Sequence, residues 1–175
     1  MLPLRAWGPC ITGIADLYDL PEDRAWLIFA PMSHVAGPMY CNMATHFGGY
    51  LVIAECMRPA EFIEAVEVHR PIVSSVVPSV LTLLMMVADE REIDLSCFRL
   101  LAAFGAPTPP QLRARFEERF NIRLQTGYGL TEVVPFVSLT PPWLGMSRPY
   151  CVGQITRGVQ VRILGEEREE LPPGE

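Results

Sequence analysis

The sequence predicts an α/β fold in which a parallel sheet, built from βαβ layers with helices on both faces, is followed by the start of a β-rich subdomain. Short apolar runs alternate with longer helical patterns from about residue 25 to residue 129, which is the spacing that βαβ units require. Half of the 175 residues are apolar, enough to bury a core. Prolines break the pattern after Thr131. We therefore divide the chain into a central α/β portion, residues 1–132, and a linker with the start of the β-rich subdomain, residues 133–175.

Five runs are predicted to form the parallel strands, because they are short, apolar and bounded by turn residues. They cover residues 26–30, 50–54, 72–77, 98–104 and 123–126. Residues 158–164 alternate strictly between apolar and polar side chains. This alternation predicts a half-buried strand in the β-rich part of the chain.

Four helical patterns lie between the strands, at 35–47, at 59–69, at 79–88 and after residue 108. The segment 79–88 lacks a polar face, so we expect a helix that is enclosed on most sides. In the fourth helix, Thr108 is predicted to be the N-cap, Pro109 the first helical residue and Asn121 the stop.

The basic residues of the chain, 14 in number, are all arginine, and there is no lysine. A phosphate-binding loop that ends in lysine, a Schiff-base lysine and a kinase-type nucleotide lysine are therefore excluded. The formal net charge is −6 and the arginines are scattered, so we expect no nucleic-acid partner. Pro78 and several hydroxyl residues interrupt the uncharged span 72–88, so we expect no transmembrane segment.

The five cysteines are odd in number, widely spaced and without a CxxC pair. They predict buried thiols in a reducing compartment rather than disulfides. The first residues show no secretory signal pattern. From both observations we expect a cytoplasmic protein.

The turns that follow the strands are the candidate site, because ligands of such sheets bind beyond the carboxyl ends of the strands. Three of these turns are chemically unusual: 31–37 (PMSHVAG), 105–110 (GAPTPP) and 127–132 (GYGLTE). If the strands are parallel, the three turns meet at one edge of the sheet.

The turn 127–132 combines an aromatic ring, two glycines, a hydroxyl and a carboxylate. Tyr128 offers a face for stacking on a purine, and Gly127 and Gly129 let the backbone approach a ligand closely. Thr131 can donate a hydrogen bond to a phosphate oxygen, and Glu132 is a hard oxygen ligand suited to Mg²⁺. The residues alone leave an alternative open, namely a glycine turn with a core tyrosine and a surface glutamate.

Four segments in the same order resemble the adenylate-forming superfamily, which contains acyl-CoA synthetases, luciferases and peptide-synthetase adenylation domains. They are TGYGLTE at 126–132, FGAPTPP at 104–110, PMSHVAG at 31–37, and the stretch 151–163, which leads to the LPPGE turn at 171–175. The resemblance implies the fold of an acyl-CoA synthetase, of which this chain would form a central part.

The resemblance also implies a role for each matching residue. Two turns would bind the nucleotide. The ring of Tyr128 would stack on one face of adenine, and the turn 105–107 would lie on the other face. The nucleotide-binding residues would be Gly105, Ala106, Pro107, Gly127, Tyr128, Gly129 and Thr131. Thr131 would contact the α-phosphate and Glu132 would hold Mg²⁺, which makes these two the catalytic residues. His34 and Gly105 would border the acyl substrate.

The function implied is that of an ATP-dependent acyl- or aryl-CoA ligase, which needs ATP, Mg²⁺ and coenzyme A. A small carboxylic acid attacks the α-phosphorus of ATP, pyrophosphate leaves, and the thiol of coenzyme A then captures the acyl-adenylate. Leu130 and His34 favour this branch over the peptide-synthetase domains. Two alternatives stay open: a non-catalytic nucleotide- or acyl-binding module, and an amino-acid-activating adenylation domain.

Several groups of such enzymes have no counterpart in this sequence: the phosphate loop with its lysine, the ribose-binding aspartate and the lysine of the carboxy-terminal domain. The loss of even one preorganised donor costs on the order of 10²–10³ in rate. We therefore expect the chain to be an incomplete, inactive fragment of a ligase.

Overall fold

The computed structural model describes residues 7–15, 17–133, 136–144, 149–172 and 174. Within these ranges the chain forms a seven-stranded sheet with helices on both faces. The strands are β1 (Ala25–Ile28), β2 (Tyr50–Ile53), β3 (Val73–Val76), β4 (Leu100–Ala103), β5 (Leu124–Gly129), β6 (Phe136–Leu139) and β7 (Gln154–Ile155). The α-helices are α1 (Trp7–Ala15), α2 (Ala36–His46), α3 (Pro59–His69), α4 (Pro78–Glu90) and α5 (Pro110–Phe120).

The strand order in the sheet is β2-β1-β3-β4-β5-β6-β7. The pairs among β1 to β5 are parallel, and a helix connects each of these strands to the next, as parallel crossovers require. The pairs β5–β6 and β6–β7 are antiparallel. The pairing changes direction within β5, between Thr126 and Gly127, and the division predicted between residues 132 and 133 stays a prediction.

The core consists of two apolar layers, one on each face of the sheet. On one face, α1 and α2 pack around Trp26. On the other face, α3, α4 and α5 pack around Leu27 and Leu101, through side chains that include Phe62 and Phe116. Successive strand residues point to opposite faces, so every central strand contributes to both layers. The predicted fold class, a parallel-sheet α/β fold with helices on both faces, is confirmed.

The predicted element bounds agree with the structure within a few residues for most elements, and the helix predicted at 59–69 matches α3 at both ends. The sequence pattern does not predict α1, whose segment WGPCITGIA contains two glycines, a proline and β-branched residues that disfavour helix. It also does not predict β6, a four-residue strand that follows directly on the site. Among the described residues, no helix combines the length and apolar character that a membrane crossing requires.

The half-buried strand predicted at 158–164 is wrong. Residues 158–163 form no strand, and Val161 and Ile163 are 41% and 59% exposed. The segment leads instead into a turn in which the Leu171 N–H donates to the Ile163 carbonyl over 2.9 Å. An alternating pattern supplies two faces, but a strand also needs a neighbouring strand, and the described part of the chain offers none here.

The start of α5 differs from the prediction. Its N-cap is Pro109 and its first residue is Pro110, so Thr108 is not the cap. A residue that precedes proline is forced towards the extended region, and Pro109 therefore stays outside the helix. Asn121 ends the helix as predicted, in the left-handed conformation. Thr108 is buried, and its hydroxyl has no hydrogen-bond partner among the described residues.

Two predictions about burial are wrong in part. α4 is not enclosed on most sides, because Leu83 and Met86 on its outer side are 43% and 60% exposed. The outer side of a helix that lies on a sheet needs a further layer to cover it, and no described element provides one here. Of the five cysteines, all free, Cys10 is buried and the other four are partly buried.

Hydroxyl groups tie the antiparallel extension to the end of β5. Thr140 Oγ1 donates to the Thr126 carbonyl over 2.8 Å, and Thr126 Oγ1 donates to the Cys151 carbonyl over 3.0 Å. The Tyr18 phenol donates to the Thr140 carbonyl over 2.7 Å, and burial raises the pKa of this phenol. Because these buried groups are paired, they hold β6 and the segment at 151 against β5.

We predict that Thr108→Val stabilises the fold by about 1 kcal/mol, because the change removes a buried hydroxyl that lacks a partner and keeps the branched shape. Urea-induced unfolding of both proteins measures the difference. The matched control is Thr126→Val, which removes a bonded hydroxyl and should destabilise the fold by roughly 1 kcal/mol. A loss of stability in Thr108→Val equal to that of the control would contradict the prediction.

Candidate functional site

A cavity with a volume of about 1140 Å³ lies beyond the carboxyl ends of the parallel strands. The three unusual turns of the sequence converge on it. Every residue predicted for the site lines its wall: His34, Gly105, Ala106, Pro107, Gly127, Tyr128, Gly129, Thr131 and Glu132. The structure thus brings together residues that are up to about a hundred positions apart in the chain. Their chemical roles stay predictions.

His34 lies in the turn between β1 and α2. The His34 N–H donates to the Pro31 carbonyl over 2.9 Å, and the Gly37 N–H donates to the His34 carbonyl over 3.0 Å. The Ala36 N–H donates to His34 Nδ1 over 3.2 Å. Since Nδ1 accepts, the neutral imidazole carries its proton on Nε2, which is the nitrogen that can donate to a ligand.

The turn 104–107 follows β4 and continues the cavity wall. Gly105 has a φ of +86°, a backbone conformation that residues with a Cβ rarely adopt. Gly105, Ala106 and Pro107 line the cavity, and the first two carry no side-chain atom beyond a single methyl group. A flat ligand can therefore approach this turn closely.

Tyr128 lies at the end of β5, where the pairing with β6 changes register between Tyr128 and Gly129. Such irregularities turn a side chain out of the regular alternation. The ring of Tyr128 lines the cavity and is 55% exposed. The alternative of a core tyrosine is therefore wrong, and the ring is open to stacking.

Thr131 and Glu132 form a short 3₁₀ helix, Thr131–Val133, directly after β5. Both side chains are exposed in the cavity wall. Neither makes a hydrogen bond or ion pair with another described residue. Their oxygens are therefore available to a ligand or a cation.

A metal at this site would rely on few protein ligands. The described residues contain no group of three or more His, Cys, Asp or Glu side chains that could hold a metal ion. Mg²⁺ suits such a site, because it is commonly bound by one or two carboxylates together with phosphate oxygens and water. The single carboxylate of Glu132 thus fits Mg²⁺ that arrives with a nucleotide.

The cavity wall also contains polar residues that the sequence analysis missed. Tyr40 on α2 and Ser75 on β3 lie at the end of the cavity next to His34. Burial raises the pKa of Tyr40, and the nearby Ser75 hydroxyl acts in the opposite direction. Tyr40 falls on the inner face of a predicted helix, so its burial was foreseeable, but its proximity to a residue 35 positions later was not.

Arg113 on α5 is a second residue that the sequence analysis missed. It is buried in the cavity wall, and its Nε donates to Glu117 Oε1 over 3.1 Å. The Leu124 N–H donates to the same oxygen over 2.9 Å, whereas Arg113 Nη1 has no partner among the described residues. The ion pair leaves this wall close to neutral, and an arginine in the middle of a predicted amphipathic helix gives no sign of burial.

Similar proteins of known function are considerably longer than this chain. It is 32% identical over 173 residues to a feruloyl-CoA synthase from an Amycolatopsis species, an alignment that covers 95% of this chain and 34% of the synthase. It is 29% identical over 154 residues to a 4-coumarate–CoA ligase-like protein from Arabidopsis thaliana, covering 87% of this chain and 27% of that protein. The chain therefore spans about a third of the length of these relatives.

Solved structures agree with the fold. An amide bond synthetase from Marinactinospora thermotolerans superposes with a TM-score of 0.80 at 30% identity, covering 97% of this chain and 35% of the synthetase. An o-succinylbenzoate coenzyme A synthetase from Bacillus subtilis, in complex with AMP, superposes with a TM-score of 0.86 at 17% identity. The latter covers 98% of this chain and 35% of that one, and at this identity it supports the fold alone.

A family model is matched along nearly the whole chain. The match spans residues 6–175 and therefore includes the three turns that line the cavity. This chain belongs to the AMP-binding enzyme family.

Proposed function

We propose that this chain supplies the nucleotide- and acyl-binding centre of an ATP-dependent acyl- or aryl-CoA ligase. The observation that carries the proposal is the convergence of the turns after β1, β4 and β5 on one cavity, in a chain of the AMP-binding enzyme family. The names of the relatives, which are CoA synthases and ligases, support the reaction class. Binding of AMP and of ATP with Mg²⁺ by the purified chain tests the proposal directly.

In this proposal the adenine ring lies between Tyr128 and the turn at Gly105. The exposed face of Tyr128 supplies the stacking surface, and the turn offers backbone at close range. Ala106 and Pro107 complete that wall, while Gly127 and Gly129 keep the strand end free of side chains. Stacking of this kind holds the base without a charged group. It suits a cavity wall in which Arg113 is already paired with Glu117.

The phosphates lie at Thr131 and Glu132. The Thr131 hydroxyl donates to an α-phosphate oxygen, and Glu132 holds the cation that accompanies the phosphates. Mg²⁺, when bound, neutralises phosphate charge so that a substrate carboxylate can approach the α-phosphorus. The two residues act by positioning and by charge, because phosphoryl transfer needs charge stabilisation rather than a strong base.

The acyl group lies at the His34 end of the cavity. His34 Nε2 donates to an oxygen of the substrate carboxylate, while Gly105 borders the carboxyl group without steric conflict. Coenzyme A then captures the acyl-adenylate through its thiol. The unpaired, partly buried cysteines agree with a reducing, cytoplasmic location.

A non-catalytic nucleotide- or acyl-binding module is the second candidate function. The absence of lysine from these 175 residues favours it, because they offer no ammonium group of their own to stabilise charge on a transferring phosphoryl group. Such a module keeps the cavity and the affinity for nucleotide, but does not form the adenylate.

We predict that Tyr128→Ala weakens AMP binding roughly tenfold to a hundredfold, since base–aromatic stacking contributes about 1–3 kcal/mol. Isothermal titration of AMP into each protein measures the change. Tyr50→Ala, which removes an exposed ring on β2 away from the cavity, is the matched control and should bind AMP as the parent protein does. Equal affinity in Tyr128→Ala and the control would contradict the stacking role.

We predict that Glu132→Gln removes most of the gain in ATP affinity that Mg²⁺ provides, about tenfold, because an amide is a poor ligand for this cation. Titration of ATP with and without Mg²⁺ separates this effect from nucleotide binding itself. AMP affinity without Mg²⁺ should stay unchanged. Glu118→Gln, an exposed change on α5, is the control, and a loss of the Mg²⁺ effect there too would refute the assignment.

We predict that the purified 175-residue chain shows no ATP–pyrophosphate exchange, although it binds nucleotide. The physical reason is the missing cationic group, since each lost donor costs on the order of 10²–10³ in rate. The assay follows labelled pyrophosphate into ATP in the presence of a mixture of aliphatic and aromatic acids. Robust exchange would reject this prediction and the second candidate function together.

A further inference from the structure

A buried hydrogen-bond network is centred on Thr126, two residues before Tyr128 in β5. The Thr140 N–H and the Thr140 hydroxyl both donate to the Thr126 carbonyl, each over 2.8 Å. The Thr126 hydroxyl donates to the Cys151 carbonyl over 3.0 Å. Both threonines are buried, so a group that left this network would lose its partner without gaining water. The network therefore fixes three segments of the chain relative to one another.

Tyr18 connects this network to the apolar layer formed by α1 and α2. Its phenol donates to the Thr140 carbonyl over 2.7 Å, across 122 positions of the sequence. The Tyr18 N–H donates to the Ile14 carbonyl of α1 over 3.0 Å, and its ring is packed in the layer around Trp26. The core thus sets the position of the phenol. Thr140 is held from a side that belongs to neither β5 nor β6.

The segments that the network joins form one side of the cavity. β5 contributes residues 126–129 to the wall, and Cys151 lies in the wall together with both of its neighbours. β6 is linked to the same place, because Ser138 is level with Tyr128 in the antiparallel pairing. A displacement of β6 at Thr140 would therefore move the backbone that carries Tyr128.

We propose that Tyr18 is a positioning residue of the nucleotide site, which acts through Thr140 and Thr126 on the ring of Tyr128. The inference rests on the proposed function, because it takes this ring to stack on the base. The ring is 55% exposed, so its direction depends on the backbone that carries it rather than on packing. A ring that is already in place binds a base without the entropic cost of ordering the strand end.

Tyr18→Phe removes the phenol hydroxyl and keeps the buried ring. The Thr140 carbonyl then loses its donor, and the strand end gains freedom that a bound nucleotide must remove. We expect the affinity for AMP, measured by isothermal titration, to fall about fivefold, which corresponds to the loss of one hydrogen bond.

Ser74→Ala is the matched control. Ser74 is fully buried, and its hydroxyl donates to the Leu27 carbonyl over 2.9 Å, a bond that joins β3 to β1 away from the cavity wall. In urea-induced unfolding this variant should lose about as much stability as Tyr18→Phe. Its affinity for AMP should stay within about twofold of the parent protein, so the comparison separates positioning from a general loss of stability.

A second readout shows whether Tyr18 acts through Tyr128. In the Tyr128→Ala background the stacking ring is gone, so adding Tyr18→Phe should leave the remaining affinity for AMP nearly unchanged. An effect on stability alone would lower the affinity by the same factor in both backgrounds. Thr140→Val removes the hydroxyl that donates to Thr126, and it should show the same loss and the same dependence on Tyr128.

Three results would overturn the inference while AMP still binds to the parent protein. They are an unchanged affinity in Tyr18→Phe, a loss no larger than that of Ser74→Ala, or an equal loss with and without the ring of Tyr128. The same criteria apply to Thr140→Val if Tyr18→Phe does not fold. Failure of AMP to bind to the parent protein would instead overturn the proposed function, and this inference with it.

Discussion

The parallel pairing of β1, β3, β4 and β5 is the constraint on which the site depends. Val76 of β3 is level with Ala103 of β4, and Ala103 is level with Thr126 of β5. Because the strands run in one direction with their paired residues level, the residues that follow them lie along one edge of the sheet. The cavity is the space that these turns enclose. A slip in register would move one turn away from the others and remove the site, even with every residue of the motifs in place.

The change from parallel to antiparallel pairing at β5 shapes the side of the cavity that Tyr128 lines. β5 runs on past the level where β4 ends, and β6 returns along it. The register shift beside Tyr128 turns its ring outward, and the bonds of Thr126 and Thr140 hold the returning strand in place. A buried hydroxyl network of this kind fixes one arrangement, because any displacement would leave paired groups unsatisfied. The exposed position of Tyr128 thus follows from the strand pairing rather than from a flexible loop.

The sequence predicts the order of the α/β elements and the convergence of the turns well, because both follow from local patterns. α3 is an example: Pro59 starts it and its apolar positions face the sheet. Local patterns fail where the structure of a segment depends on contacts that its own pattern does not contain. The alternating segment at 158–164 has no neighbouring strand among the described residues, and the start of α5 is set by two consecutive prolines rather than by the capping hydroxyl of Thr108.

The same reasoning explains why other residues of the cavity wall were not foreseen. Motif residues such as Tyr128 and Glu132 are exposed, and they belong to a turn whose composition is unusual in the sequence. Tyr40 and Ser75 are ordinary residues of a helix and a strand, and only the packing of α2 against the sheet brings them together. Arg113 is similar, because its partner Glu117 is local but its burial depends on the fold around α5.

The two ends of the cavity therefore differ in how far the protein has organised them in advance. At the His34 end, Tyr40 is buried and its ring meets Trp26 edge-on, so a ligand meets a side chain that is already fixed. At the other end, Thr131 and Glu132 are exposed and make no bond to other described residues. Fixed groups discriminate between ligands at little entropic cost, whereas exposed side chains without partners must be ordered when a ligand binds. A ligand therefore meets a preformed surface at the His34 end, while the side chains at the other end take their final arrangement from what binds there.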